Sequence, residues 1–153
     1  MKSVSQSAIR KAEIATLSSE ETFNEGKRFA SRLSGGEVIA LVGELGTGKT
    51  VFTKGLCEGL NVKNPVLSPT FTIANEYEAD FKIYHIDAYR LSGSSEISAI
   101  GIEDYMMGDA VCIIEWADKV KEVIPEDATW IYFQHSKDRE TDRLLRIDLS
   151  GDG

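Results

Sequence analysis

The sequence predicts an α/β fold, a mixed and partly parallel sheet layered between helices, and three observations carry that prediction. Two short runs, Val38-Ile39-Ala40-Leu41-Val42 and Ala110-Val111-Cys112-Ile113-Ile114, are apolar without alternation. That is the pattern of strands buried on both faces beneath helices. A glycine-bearing turn, 43–48, separates the first run from a segment over 49–60 whose Phe52, Leu56 and Leu60 recur at helical spacing. Residues 72–77 and 82–87 read as two strands joined by the tight turn Glu78-Ala79-Asp80-Phe81.

The remaining elements follow in order. Residues 9–16 suit a first strand and 17–19 a turn. Ser18 with Glu21 three positions later forms a capping box, so a helix starts there. Phe23, Gly26, Ala30 and Leu33 share one face of it, and Gly35-Gly36 ends it. Residues 96–107 read as helical with an interruption near Gly101. The apolar run over 110–114 ends at Glu115, and 116–124 is a helix stopped by Pro125. Strands over 129–134 and 144–149 flank a charged, solvated loop at 137–142. With no repeat, low-complexity tract or linker, 1–153 reads as one domain, its sheet parallel near the glycine turn and antiparallel toward an edge.

Composition narrows the partners. The net charge of −8 speaks against bare affinity for nucleic acid or anionic lipid. In a nucleic-acid pathway such a chain would dock on a basic protein. No apolar run approaches the ~20 residues a membrane span needs. The N-terminal stretch carries Lys2, Arg10 and Lys11 without an apolar core, unlike a secretory signal. Cys57 and Cys112 are too few for a disulfide framework or metal cluster and read as buried thiols in a reducing cytosol.

The chemistry concentrates in Gly43-Glu44-Leu45-Gly46-Thr47-Gly48-Lys49-Thr50, a full match to G-x-x-x-x-G-K-[ST]. Chance would supply that pattern in about half a percent of chains this long. Its glycines let backbone N–H groups approach phosphates, and the following helix aims its free N-terminal N–H groups at the same oxygens. Lys49 supplies charge to β- and γ-phosphates, and the Thr50 hydroxyl is a hard ligand for Mg²⁺. The site therefore expects ATP or GTP with Mg²⁺, with Glu44, Leu45, Gly46, Thr47, Gly48, Lys49, Thr50 and Val51 around the nucleotide.

Such a loop needs a carboxylate at a neighbouring strand end. Glu115 and Asp87 both qualify, and each is also readable as an ordinary strand-end acid. Ser68-Pro69-Thr70-Phe71 either brings the Thr70 hydroxyl near a γ-phosphate or simply turns the chain. His85 and His135 lack metal spacing and read as structural. Arg90 suits phosphate or a nearby acid equally, and Trp116 suits nucleotide, partner or sheet packing.

Taken together, the glycine-loop motif, Ser68-Pro69-Thr70-Phe71, Tyr84-His85-Ile86-Asp87-Ala88-Tyr89-Arg90-Leu91 and Ile114-Glu115-Trp116 resemble the TsaE (YjeE) family. These are bacterial ATPases of tRNA threonylcarbamoyladenosine biosynthesis. The similarity spans roughly 18–124 and weakens after Pro125, from which no functional residue is carried over. It implies a P-loop NTPase-like three-layer sandwich in a cytoplasmic ATPase that joins TsaB and TsaD, with tRNA an indirect partner. It also implies that Thr50 and Glu115 serve Mg²⁺, Lys49 the phosphates, and Asp87 and Thr70 the γ-phosphate region. The order of the acids does not say which orients the attacking water. Phe71 stands where Tyr is frequent, so a hydroxyl there is not required.

Other classes are weaker. A small-molecule P-loop kinase is the alternative, but no Arg-rich lid appears. A regulatory GTPase lacks an Asn-Lys-x-Asp segment. A binding module using nucleotide as a structural plug would show no turnover.

Overall fold

The computed structural model describes residues 11–44, 46–63, 74–90, 102–106, 108–135 and 143–149. The Ser68-Pro69-Thr70-Phe71 segment, Leu45, residues 96–101 of the expected helix, the 137–142 loop and the Arg90 side chain lie outside the described residues.

One seven-stranded sheet organises the chain. Its strands are β1 (Lys11–Thr16), β2 (Val38–Val42), β3 (Ala74–Glu78), β4 (Lys82–Asp87), β5 (Val111–Glu115), β6 (Thr129–His135) and β7 (Arg143–Leu149). They lie in the order β1-β7-β6-β2-β5-β4-β3. The central four, β6, β2, β5 and β4, run parallel, and antiparallel strands close both edges. The sequence reading placed antiparallel pairing toward one edge. The second antiparallel edge arises because β7 runs antiparallel to β6, and the first strand then returns to pair with β7, Thr16 facing Arg143.

The two apolar runs take the middle of the sheet, as burial on both faces requires. In β2, Ile39 and Leu41 face helices α1 (Ser19–Phe29) and α2 (Lys49–Gly59), alongside Phe52 and Leu56. Val38 and Ala40 face the opposite layer, which holds Ala117, Val120 and Ala128. Every residue of β5 is buried.

Helices α1 and α2 meet backbone to backbone. A Cβ at Gly55 would lie 1.9 Å from the Phe23 carbonyl oxygen, and one at Gly26 would lie 2.1 Å from that of Phe52. No residue but glycine permits this approach. Ser18 caps α1, its hydroxyl accepting from the Glu21 N–H at 3.1 Å. Glu21 in turn accepts from the Leu17 N–H at 2.8 Å, one residue earlier than a capping box predicts.

In the opposite layer, the part of the expected 96–107 helix that falls within the described residues is helical over Ile102–Tyr105. Residues Ala117–Val123 form a 3₁₀ segment kinked at Val120 in place of an α-helix. Ala117 and Val120 are its buried residues, three apart, which is one turn of a 3₁₀ helix. No helix among the described residues is long and apolar enough to cross a membrane.

Candidate functional site

The parallel strands all end at one edge of the sheet, and the antiparallel strands are arranged so that β1 ends and β7 begins there too. Ligands in open α/β sheets bind at this edge. A cleft opens here, lined by Ser19, Thr22, Gly46, Gly48, Lys49, Thr50, Val51, Glu115, Trp116 and Arg143.

The glycine loop is built from residues with separate duties. Gly43 is fixed by packing, since a Cβ there would lie 2.7 Å from the Phe133 carbonyl oxygen on β6. Gly46 and Gly48 are fixed by conformation, with φ of +80° and +105°, a region that glycine enters without steric cost. A Cβ at Gly46 would meet nothing within 4 Å. Thr47 is buried, and its hydroxyl donates to the Glu44 carbonyl at 2.6 Å, so its side chain braces the loop. Glu44 contributes that carbonyl while its own side chain is exposed. Gly48 then starts α2 with no side-chain cap and no acid in the first turn.

Lys49 is only 5% exposed. Its ammonium donates to the carbonyls of Gly43 and, at 3.2 Å, Glu44. It also sits 4.0 Å from the centre of the Trp116 ring, a cation–π contact. Burial pulls its pKa below the usual lysine value of 10.5, opposed by the charges of Glu115, Asp118, Asp87 and Glu44. The loop thus holds one poorly solvated cation against its own carbonyls, and anionic oxygens would be stronger acceptors for the same three N–H donors.

Thr50, one residue on, faces Glu115 at the end of β5. The hydroxyl lies 3.5 Å from both carboxylate oxygens, and Glu115 is nearly buried. Among the described residues no group of three or more His, Cys, Asp or Glu converges as a metal cage. One hydroxyl and one carboxylate is the donor set Mg²⁺ accepts when phosphates complete its shell, so these residues fit that ion.

Asp87 sits beside Glu115 in the β4–β5 register. It does not line the cleft; its carboxylate accepts the Tyr89 N–H at 2.9 Å and contributes field at Lys49. Thr70 and Leu45 fall outside the described residues. His135 is exposed at the end of β6. Cys57 and Cys112 are buried free thiols, and burial pushes both pKa values up to about 12.

Trp116 takes a left-handed backbone conformation, φ 61° and ψ 39°, uncommon for a bulky residue. That turn lays its ring into the cleft, where exposed Tyr89 packs on it at 4.8 Å between centroids. Of the three roles the sequence left open for Trp116, packing against the sheet is met, since its ring lies against the core of the opposite layer while its face also covers the Lys49 ammonium.

Ser19, Thr22 and Arg143 line the cleft without having been singled out from sequence. Topology carries the signal: the β6–β7 hairpin pairs His135 with Arg143, and β1 pairs Thr16 with Arg143. Both α1 and β7 therefore start at the edge where the loop lies.

Comparison with known proteins agrees with this architecture. The family model described as "Threonylcarbamoyl adenosine biosynthesis protein TsaE" matches residues 16–144, reaching past the point where the sequence resemblance weakened. The tRNA threonylcarbamoyladenosine biosynthesis protein TsaE of Bacillus subtilis is 40% identical over 126 residues, 82% of this chain and 78% of that one. That of Aquifex aeolicus is 42% identical over 114 residues, covering 71% and 79%. A crystal structure of Bacillus subtilis YdiB superposes with a TM-score of 0.80 at 33% identity, covering 93% of this chain and 87% of its own. With a family match across most of its length, over strands β2 to β6, the glycine loop and Glu115, the chain belongs to the TsaE family.

Proposed function

We propose that this chain, acting as one cytoplasmic domain over 1–153, is an ATPase. It binds Mg-ATP through the glycine loop and supports TsaB and TsaD in forming threonylcarbamoyladenosine on tRNA. The observation that carries the reading is the start of α2: a helix N-terminus without a side-chain cap, opening on a cleft beside a buried lysine. The relatives, tRNA threonylcarbamoyladenosine biosynthesis proteins, support the pathway.

In this reading Lys49 leaves the Gly43 and Glu44 carbonyls for β- and γ-phosphate oxygens. The amides of 46–51 receive the same phosphates along the helix axis. Mg²⁺ held by Thr50 and Glu115 would neutralise charge gathering on those oxygens as the γ-phosphoryl group departs. Asp87 and Thr70 belong to the γ-phosphate end, where one of the acids orients water. Turnover by the isolated protein is slow because such loops position phosphates and often await a partner. Contact with tRNA is through TsaD and TsaB, consistent with the acidic surface.

The test measures ATP binding, hydrolysis and association with a purified TsaB–TsaD pair, for wild type and Lys49→Ala. Expected are slow hydrolysis alone, ATP-dependent association with the pair, and loss of ATP affinity by about 10- to 100-fold in the variant. Unaltered ATP affinity and hydrolysis in Lys49→Ala, or no association under any nucleotide condition, contradicts the reading.

A further inference from the structure

A largely buried chain of polar side chains crosses the sheet toward Glu115. His85 on β4 is fully buried, and its Nε2 lies 2.6 Å from Glu115 Oε2. Its Nδ1 lies 3.4 Å from the Tyr77 hydroxyl on β3. Asn75 donates from Nδ2 to that same hydroxyl oxygen at 3.4 Å. The register explains the alignment. Glu115 pairs with Asp87 and His85 with Ile113, so His85 and Glu115 are diagonal neighbours on one face. Tyr77 pairs with Ile83, diagonal to His85 on the other side. Three adjacent strands thus place three polar groups in file beneath the helices, ending at the Thr50 hydroxyl 3.5 Å beyond.

We propose that His85 is a positioning residue that sets the orientation of the Glu115 carboxylate toward Thr50, acting as an Nε2–H donor held in that tautomer by Tyr77. The proposal rests on the reading of Thr50 and Glu115 as the Mg²⁺ pair. Two physical points lead to it. The last torsion of a glutamate is broad, so backbone placement at the end of β5 leaves the carboxylate plane unset. A short hydrogen bond from a buried, rigid ring sets it. In addition, donation runs one way along the chain without conflict: Asn75 amide to Tyr77 oxygen, Tyr77 hydroxyl to Nδ1, Nε2–H to Oε2. Partners of this kind fix the tautomer of a ring and the direction of a ligand, and losing one typically costs 10–100-fold in metal affinity. A histidine that merely filled space would have no need to address the carboxylate.

Two measurements decide it. The first is a long-range ¹H–¹⁵N spectrum of the wild-type protein without nucleotide or metal, with His135→Gln used for assignment. It should show His85 as a fixed Nε2–H tautomer; an Nδ1–H tautomer or rapid averaging would overturn the proposal. The second is a Mg²⁺ titration of fluorescent-ATP binding. His85→Leu should need about 10- to 100-fold more Mg²⁺ for half-saturation, with affinity for metal-free nucleotide little changed. His85→Gln, whose amide reaches the Nε2 position, should restore the wild-type requirement, while the shorter amide of His85→Asn should not. Equal Mg²⁺ requirements across the four proteins would refute the idea, and the Gln and Asn pair decides it should the Leu variant fail to fold. If wild type binds no nucleotide at all, the proposed ATPase function fails while the tautomer spectrum still judges His85.

Discussion

Helices α1 and α2 lie against each other on the same face of the sheet, and both begin at the rim of the same cleft, yet they begin differently. At α1, Ser18 caps the Glu21 amide, Glu20 and Glu21 place negative charge in the first turn, and Glu21 reaches back to Leu17. Its donors and its dipole are served by its own side chains. At α2, Gly48 has no side chain to offer, the first turn carries no acid, and Lys49 adds a buried positive charge. A helix that completes its own start is structural. One that leaves its donors to the cleft and adds an ammonium is built for an anion from outside. Sequence motif and burial point to the same helix for independent reasons.

Breaking the packing that holds the two starts together should have the largest effect. Gly55→Ala puts a Cβ into the Phe23 carbonyl, with a contact of 1.9 Å to relieve. Forcing the helices apart should cost about 3 kcal/mol and lower the melting temperature by roughly 6–12 °C. A thermal melt matching wild type would mean that the close approach is not tight in solution. Giving α2 the acidic first turn of α1 is the next step. Val51→Glu, on the cleft wall, should weaken ATP affinity about tenfold by opposing the dipole and the phosphates, with little change in stability. Equal affinity would show that the anion does not sit at this helix start.

Removing the self-made cap gives the converse. Ser18→Ala should cost about 1 kcal/mol of stability and leave ATP affinity unchanged, as denaturant unfolding and nucleotide titration would register separately. A matching loss of affinity would erase the distinction between the two helices. The smallest effect concerns pH. Lys49 has a folded-state pKa below its unfolded value of 10.5, so between the two the unfolded chain binds more protons. Stability from this group therefore rises with pH across that window, since the cost of burying the ammonium disappears as it loses its proton. Lys49→Met should lack this rise, and identical alkaline stability profiles for the two proteins would contradict the buried-cation picture.

How much of this was legible in the sequence depends on where the information resides. β2, β5 and the loop between β2 and α2 were readable because a strand buried on both faces has little choice but continuous apolar residues, and a strained loop little choice but glycine. The cap of α1 was readable because it is local. The 3₁₀ segment after Glu115 was not, because at short length the spacing of Ala117 and Val120 fits either helix. The outermost strand of the second edge was also hidden, since β1 pairs with β7 across most of the chain, and with it the meeting of α1 and Arg143 at one rim. His85 was read as a structural histidine. Its bond to Glu115 is a diagonal across two strands that only the register discloses.

The most direct test is a crystal structure of this chain with Mg²⁺ and a non-hydrolysable ATP analogue. Expected are β- and γ-phosphate oxygens about 3 Å from the amides at the start of α2, the Lys49 ammonium moved from the Gly43 carbonyl to phosphate, and Mg²⁺ beside Thr50 and Glu115. A triphosphate bound elsewhere, with Lys49 still on the Gly43 and Glu44 carbonyls, would contradict this arrangement.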